Sequence, residues 1–462
     1  MSSYFHTRRL FLRLLGAVYL IAFLSLAPQA LGLWGEKGIL PVAEFLRTIQ
    51  AHASAPDRFW FFPTVFWFNS SDPALLLVCW LGALFSILIV LDIAPAIFLA
   101  LDWFLYLSLF TVGGDFLHFQ WDVLLLEAGF LAIFFAPLRL KPKPASEEQP
   151  SRLILWLFRW LLFRLMFFSG FSKLASGDLT WRSLSALKFY YETQPLPPWT
   201  AWFAHQWPGW FHTASCVFMF AVELGVPFLI FMGRRCRQIA CVSFLSLQFL
   251  IMATGNYGIF NWLTVALCIL LLDDSVFSFF GKIPSAKKGK PGWVVYPVFI
   301  LLLFLSLPKG MKTLRVLAEP YCLVNSYGLF AAMTTERPEI LLEGSTDGQT
   351  WKAYEFKFKP GDVRRRPVFV QPYHPRLDWQ MWFAALGAPE DNPWFSKFCE
   401  RVLQGSPEVL SLLKNNPFPE HPPRYLRAML YDYRFSGPSS LKKGVWWISE
   451  KKGLYLPVLS IS

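Results

Sequence analysis

Charge is scarce in this sequence. Only 16% of its 462 residues are Asp, Glu, Lys or Arg, against roughly 25% in an ordinary soluble protein. A wholly water-exposed globule is therefore a poor reading. Cysteine is sparse too. There are seven, an odd number, with no CxxC pair and no zinc-type spacing, which leaves redox and structural-metal chemistry without support. A nucleophile elbow, a phosphate-cradling glycine loop, an HExxH pair and a dinucleotide fingerprint are all missing, so the common catalytic scaffolds have no foothold. Neither a metal nor a cofactor is expected. No internal repeat is evident.

What fills the chain is apolar: 55% of residues are hydrophobic and 18% aromatic. The small stock of charge is unevenly spread. Residues 309–462 carry 36 charged positions in 154, whereas residues 1–308 carry 38 in 308. This shift predicts two parts that meet near Pro308. The expected fold is an α-helical polytopic membrane domain over 1–308, followed by a β-rich, sandwich-like extramembrane domain over 309–462.

A helix needs about 20 apolar residues to cross the hydrocarbon core. Nine stretches qualify approximately: 11–31, 74–92, 94–112, 122–138, 153–170, 214–232, 239–254, 257–272 and 293–308. The first lacks a small-residue cleavage site and runs to Pro28 and Gly32, so it reads as a retained span and not a signal peptide. Basic clusters fall at Arg8, Arg9 and Arg13; at Arg139, Lys141, Lys143 and Arg152; at Arg234, Arg235 and Arg237; and at Lys282, Lys287, Lys288 and Lys290. With nine spans all of them lie on one side, which positive-inside topology makes cytoplasmic. Loops 32–73 and 171–213 and the tail after Pro308 then lie on the other side. That topology accounts for much of the net charge of +12 without nucleic acid as a partner. The one dense basic run in the tail, Arg364–Arg366, reads as a solvated strand end, with an acidic partner as the alternative.

Both outer loops are aromatic. The first holds Trp60, Phe61, Phe62, Phe66, Trp67 and Phe68, with a glycosylation sequon at Asn69-Ser70-Ser71. The second holds Trp181, Tyr190, Tyr191, Trp199, Trp202, Trp207 and Trp210 among prolines, and reads as an ordered segment lying on the bilayer. Such residues suit the lipid–water interface or an apolar patch for a client chain. Ionisable groups within spans are costly unless paired or functional. Asp102, Glu127, Arg164 and Glu223 are the deepest, and an ion pair between Arg164 and a carboxylate of another span is the economical reading. Asp122 and Glu127 are five apart and do not share a helix face. His118, His205, His212 and His374 are scattered and read as interface histidines, not ligands. Cys322 and Cys399, the two cysteines of the tail, are candidates for a disulfide.

In the tail, Glu339–Ser345 and Thr350–Phe358 flank Asp347-Gly348 and predict a hairpin. Residues 393–415 predict a helical stretch, and Tyr425–Phe435 and Val445–Ser449 predict strands.

Several long strings resemble the lipase maturation factor family. They are Asn325-Ser-Tyr-Gly-Leu-Phe running to Glu339, Glu343-Gly-Ser-Thr-Asp-Gly-Gln-Thr-Trp351, Tyr354 to Asp362, Arg376-Leu-Asp-Trp-Gln-Met-Trp-Phe383 onward, and Asn392-Pro-Trp-Phe395. Arg164 to Asp178, Tyr191-Glu-Thr-Gln-Pro-Leu-Pro197, and Gly255-Asn-Tyr257 to Asp274 carry the same likeness in the membrane part. The resemblance spans about 10–435. It implies a chaperone-like membrane protein of the endoplasmic reticulum with a lumenal C-terminal domain. Animal members of the family help secreted lipases such as lipoprotein, hepatic and endothelial lipase to reach active dimers. Leu459–Ser462 is not an ER-retrieval signal, so a bacterial inner membrane with a periplasmic tail is the alternative compartment. A second segment, Phe168 to Asp178, is similar to part of vitamin K-dependent γ-carboxylase and its bacterial relatives. There the equivalent of Lys173 sits in a membrane active site.

The leading expectation is a maturation factor that holds a secreted client, a lipase by resemblance, close to membrane lipid. Tyr327, Phe330, Trp351, Trp379, Trp382, Phe383 and Trp394 are candidate client contacts, although most equally suit a core. The rival is a membrane enzyme using Lys173 with Glu127 or Asp178. On the ordinary reading, Lys173 extends its amine to the interface.

Overall fold

The computed structural model describes residues 3–140, 149–277, 294–306 and 312–460. Pro308 and the clusters' Lys141, Lys143, Lys282, Lys287, Lys288 and Lys290 lie outside the described residues. Among the described residues, six helices are long and apolar enough to cross a membrane. They are α1 (Phe5–Leu26), α2 (Asp72–Val90), α3 (Pro95–Val112), α5 (Arg152–Ala175), α6 (Gly209–Phe220, extended by tighter and wider turns to Phe231) and α7 (Arg234–Thr254). At the other three predicted positions stand shorter helices: α4 (Gln120–Phe135), α8 (Phe260–Ile269) and α9 (Val295–Ser306). The 22 residues of α1 reach about 33 Å at 1.5 Å per residue, enough for the hydrocarbon core.

Close approach joins these helices, since apolar side chains gain little by leaving lipid for each other. Gly82 on α2 lies against the Phe23 ring of α1, where a Cβ would overlap the ring carbons. Gly16 on α1 repeats this against Ile89, where a Cβ would come within 2.8 Å.

The bundle has two distinct ends. At one, Arg9 pairs with Asp92 at 2.8 Å and Arg234 with Asp273 at 3.2 Å. The backbone amides of Phe5 and Thr7 donate to Asp274 at 2.7 and 3.1 Å. The C-terminal region covers the opposite end, reaching Ser25 in the last turn of α1, Gln29 just beyond it, Asp122 at the start of α4, and Asn256 after α7.

That region is built on one antiparallel sheet in the order β2-β1-β3-β4. The strands are β1 (Pro338–Ser345), β2 (Lys352–Tyr354), β3 (Tyr425–Phe435) and β4 (Trp447–Ser460). Its second layer is helical: α10 (Arg376–Ala385) packs on β1 and α11 (Pro393–Leu403) on β3. Among the described residues there is one sheet, so the sandwich-like expectation gives way to sheet on helix. The stretch 393–415 is divided because Gly405 takes φ +69° and Pro407 opens a new short helix. Cys322 and Cys399 are both buried and both free; no disulfide joins them. Burial pushes the Cys322 thiol up to about 12, which keeps it protonated and unreactive.

One continuous buried cluster runs from Leu15 and Tyr106 through Trp121 to Trp379, Phe395 and Leu426. The membrane helices and the sheet region therefore share a core.

Candidate functional site

The seam between the two regions holds the densest buried polar chemistry. Arg376, at the start of α10, sends Nη1 to Asp122 Oδ2 at 2.7 Å and Nη2 to Asp122 Oδ1 at 2.8 Å. Tyr106 on α3 donates its hydroxyl to the same carboxylate at 2.6 Å. Both charged side chains are essentially fully buried. Such a pair holds only because fork geometry and added hydrogen bonds offset the desolvation of both ions. The Arg376 amide also donates to Gln29 Oε1 at 2.8 Å.

A second knot lies five residues along α4. Glu127 pairs with Arg164 of α5 and also accepts from the Asn325 amide at 2.9 Å, the Asn325 side chain at 3.0 Å and the Tyr327 hydroxyl at 2.8 Å. The expected pairing of Arg164 with a carboxylate of another helix is present. Asp122 and Glu127 each have their own arginine.

The second aromatic loop lies between bundle and sheet, not spread on the bilayer. Its short helices Leu179–Arg182, Leu187–Thr193 and Trp199–His205 are pinned from above. Trp202 Nε1 donates to the Ser436 carbonyl at 2.8 Å and Trp382 Nε1 to the Thr193 carbonyl at 2.8 Å. Arg337 bonds the carbonyls of Glu192, Gln194 and Pro195. Asn256 joins three chain segments through Leu196, Val368 and Val370 at 2.9 Å each.

Beneath that loop lies a cavity of about 760 Å³ between α5, α6, α7 and α8. Lys173 of α5 reaches Glu223 at 2.8 Å and the Ser169 carbonyl at 3.0 Å inside it. Sequence makes this possible. Pro227 has no N–H to give the carbonyl four residues back, and the chain at Ala221–Gly225 widens into a π turn that carries Glu223. Lys173 is only 5% exposed, so its amine does not extend to the interface.

The trio proposed for an enzyme is not assembled. Lys173 pairs with Glu223, Glu127 belongs to Arg164, and Asp178 caps the helix that follows it. The Asp178 carboxylate accepts from Thr180 Oγ1 at 2.6 Å and from the amides of Thr180, Trp181 and Met333. Partial burial would raise its pKa, but these hydrogen bonds win and hold it below the usual carboxylate range. Asp102 bonds Ser86 at 2.7 Å. Among the described residues no group of three His, Cys, Asp or Glu could hold a metal ion.

Of the seven aromatic client candidates, Tyr327, Trp379, Trp382 and Trp394 are buried, and Phe330 and Trp351 are half-buried. Phe383 alone is exposed. Their chemistry is that of a core and seam, so the sequence-based assignment to client contact is corrected for the buried four. His374 is also interior: its ring meets Phe119 and Trp121 edge to face and Trp379 at a tilt, and neither ring nitrogen has a hydrogen-bond partner. The residue that sequence reasoning missed is Arg376. It stood in a family-like string, but nothing local marked it as the partner of Asp122.

The strings that carried the resemblance thus meet at the seam, through Asn325 and Tyr327, Arg376, Glu192 to Pro195, and Asn256. Comparison with known proteins agrees. The family model for the lipase maturation factor transmembrane domain matches residues 6–279, and that for the lipase maturation factor C-terminal domain matches 323–457. Lipase maturation factor 1 of Homo sapiens is 35% identical over 100% of this chain and 89% of its own length. Lipase maturation factor 2 of Xenopus tropicalis is 36% identical over 95% of this chain and 80% of its own. No solved structure matches. The chain is a multi-pass membrane protein, and it belongs to the lipase maturation factor family.

Proposed function

We propose that this protein is a non-enzymatic maturation factor that holds unfinished secreted lipases at the non-cytoplasmic face of the membrane. The observation that carries the reading is the likeness to relatives named lipase maturation factors along the whole chain, membrane and C-terminal regions together. An unfinished lipase exposes apolar surface and aggregates. A factor that protects it must offer reversible apolar contact at a fixed place. The shared core and the Arg376–Asp122 pair hold the C-terminal region rigidly on one bundle end.

The client contact we favour is the exposed side of β4 at the sheet edge, where Ile448, Leu454 and Val458 are each exposed along the strand. β4 is the edge strand. Lys451, Lys452 and Pro457 along it oppose indiscriminate strand pairing, which leaves side-chain contact as the mode of binding. The end bearing Arg8, Arg9, Arg139 and Arg234 faces the cytoplasm by the positive-inside rule. The C-terminal region then faces the ER lumen, or the periplasm in a bacterial cell.

The test is a rescue. The protein is expressed with a secreted dimeric lipase in cells deleted for their own lipase maturation factors, and lipase activity is measured per mass secreted. Restored specific activity is the expected result. Unchanged specific activity, with the protein present in the membrane at normal level, overturns the reading.

A further inference from the structure

The cavity under the second aromatic loop is not used by the client reading, and its chemistry points elsewhere. At about 760 Å³ it lies in the range of small-molecule sites, roughly 300–1,000 Å³. Leu165, Met219, Leu247, Ile251 and Phe260 make most of its wall apolar. Its lining also includes Phe203, Trp207, Phe218 and Leu250, which are exposed and mark where the cavity opens. Phe218 and Leu250 belong to α6 and α7, helices long and apolar enough to span the membrane. Those two helices meet chiefly at their joined ends, through the turns at 221–231. The opening between them therefore faces hydrocarbon, and what enters arrives sideways from the bilayer.

Besides scattered Ser and Thr hydroxyls, the inner wall has three polar places. Lys173 and Glu223 form one, at 2.8 Å. The Tyr190 and Tyr257 hydroxyls form another, at 2.6 Å. The third is Asn261, which donates to Gln248 Oε1 at 2.7 Å. Asn261 is 1% exposed and lines the cavity, yet its Oδ1 accepts no hydrogen bond. A buried amide oxygen left alone is costly, and a ligand with a donor removes that cost. The ion pair is electrically neutral as a unit, so a formal charge on the ligand gains no counter-ion and loses its solvation.

We propose that this cavity is a binding site for a neutral glycerolipid with a free hydroxyl, a mono- or diacylglycerol, taken laterally from the membrane between α6 and α7. Acyl chain fills the apolar wall. The free hydroxyl donates to Asn261 Oδ1, and the ester carbonyl accepts from the Lys173 ammonium, which has a third N–H beyond those given to Glu223 and Ser169. A sterol has one hydroxyl and serves one polar place; a glycerol ester carries several oxygens and serves more. A phospholipid brings a charged headgroup that the neutral pair does not balance. The proposal does not depend on the lipase reading.

The probe is a diacylglycerol with a photoactivatable, clickable acyl chain, added to membranes containing the full-length protein. Labelling is mapped by peptide mass spectrometry. Label is expected on α6 and α7 at the cavity, displaced by unlabelled diacylglycerol and not by cholesterol or phosphatidylcholine. Ala214→Trp plugs the opening from a lipid-exposed position, where folding is undisturbed, and should cut labelling roughly tenfold. Asn261→Leu, which keeps the branched outline and removes the acceptor along with the donor to Gln248, should weaken competition by diacylglycerol by about the same factor. Equal displacement by phosphatidylcholine or cholesterol, or undiminished labelling of the Ala214→Trp protein, overturns the proposal.

Discussion

Asp122 and Arg376 are 254 positions apart and form a buried two-pronged ion pair, with the Tyr106 hydroxyl on the same carboxylate. One partner begins a bundle helix and the other begins a helix under the sheet. The pair therefore fixes where the C-terminal region sits on the bundle. Removing one partner strands the other charge in the core, which costs about 3–5 kcal/mol. Asp122→Leu and Arg376→Met should each lower the thermal midpoint of the purified full-length protein and open the seam to limited proteolysis. The double variant Asp122→Leu with Arg376→Met leaves no stranded charge and should recover much of the loss. A double variant as unstable as the sum of the singles would show that the pair's coupling is not what holds the seam.

How much of this was legible beforehand depends on range. Hydrocarbon-length runs are local, so the six long helices stand where hydropathy places them. β3 was predicted at its observed limits because Tyr425–Phe435 is bounded by proline and glycine. The return strand was expected to reach Phe358 but stops at Tyr354, and Phe356 pairs instead with Leu413 in an isolated bridge. β4 was expected to end at Ser449; Lys451, Lys452, Gly453 and Pro457 resemble a turn, but an edge strand tolerates them with register shifts. A carboxylate partner for Arg164 from another span is expected because lone charges in spans demand partners; that it is Glu127 only the fold shows. Arg376 is not marked in this way, because an arginine in a polar tail demands nothing. Only the fold brings it under a carboxylate of the bundle.

His374 gives a pH dependence with a definite sign. Burial, and then the neighbouring Arg376 charge, push its pKa well below 6.5. The neutral ring is thus favoured in the folded state. Its contribution is fully present above the unfolded-state value of about 6.5 and is lost as pH falls below that value, at up to ~1.4 kcal/mol per pH unit. Unfolding midpoints measured from pH 7.5 to 5 should drop more steeply for the native protein than for His374→Phe, which keeps the aromatic contacts with Trp121 and Trp379. Identical slopes for the two proteins would remove His374 as the source.

Orientation is testable at one exposed residue. Asn69 stands at the start of α2, at the bundle end covered by the C-terminal region, and heads the sequon Asn69-Ser70-Ser71. In a cell with ER glycosylation machinery that end should be lumenal. The protein should then lose the mass of one glycan on endoglycosidase treatment, and Asn69→Gln should abolish the shift. Protease added to sealed microsomes should leave the tail after Lys312 intact. Digestion of that tail from the cytosolic side would reverse the topology and end its proposed role with exported clients.

The exposed apolar side chains of β4 separate client contact from stability. Ile448, Leu454 and Val458 point outward, so charge placed there removes no core contact, and surface changes of this kind usually stay within about 0.5 kcal/mol. Leu454→Asp with Val458→Asp should leave the thermal midpoint near that of the native protein. The same substitutions should reduce the specific activity of the co-expressed lipase severalfold, because an apolar client surface then meets two desolvated carboxylates. By contrast, Trp379→Ala and Trp394→Ala should damage both readouts together, since both rings lie in the core. Full lipase maturation by a well-folded Leu454→Asp, Val458→Asp protein would rule out β4 as the client surface and turn attention to Phe383 on α10.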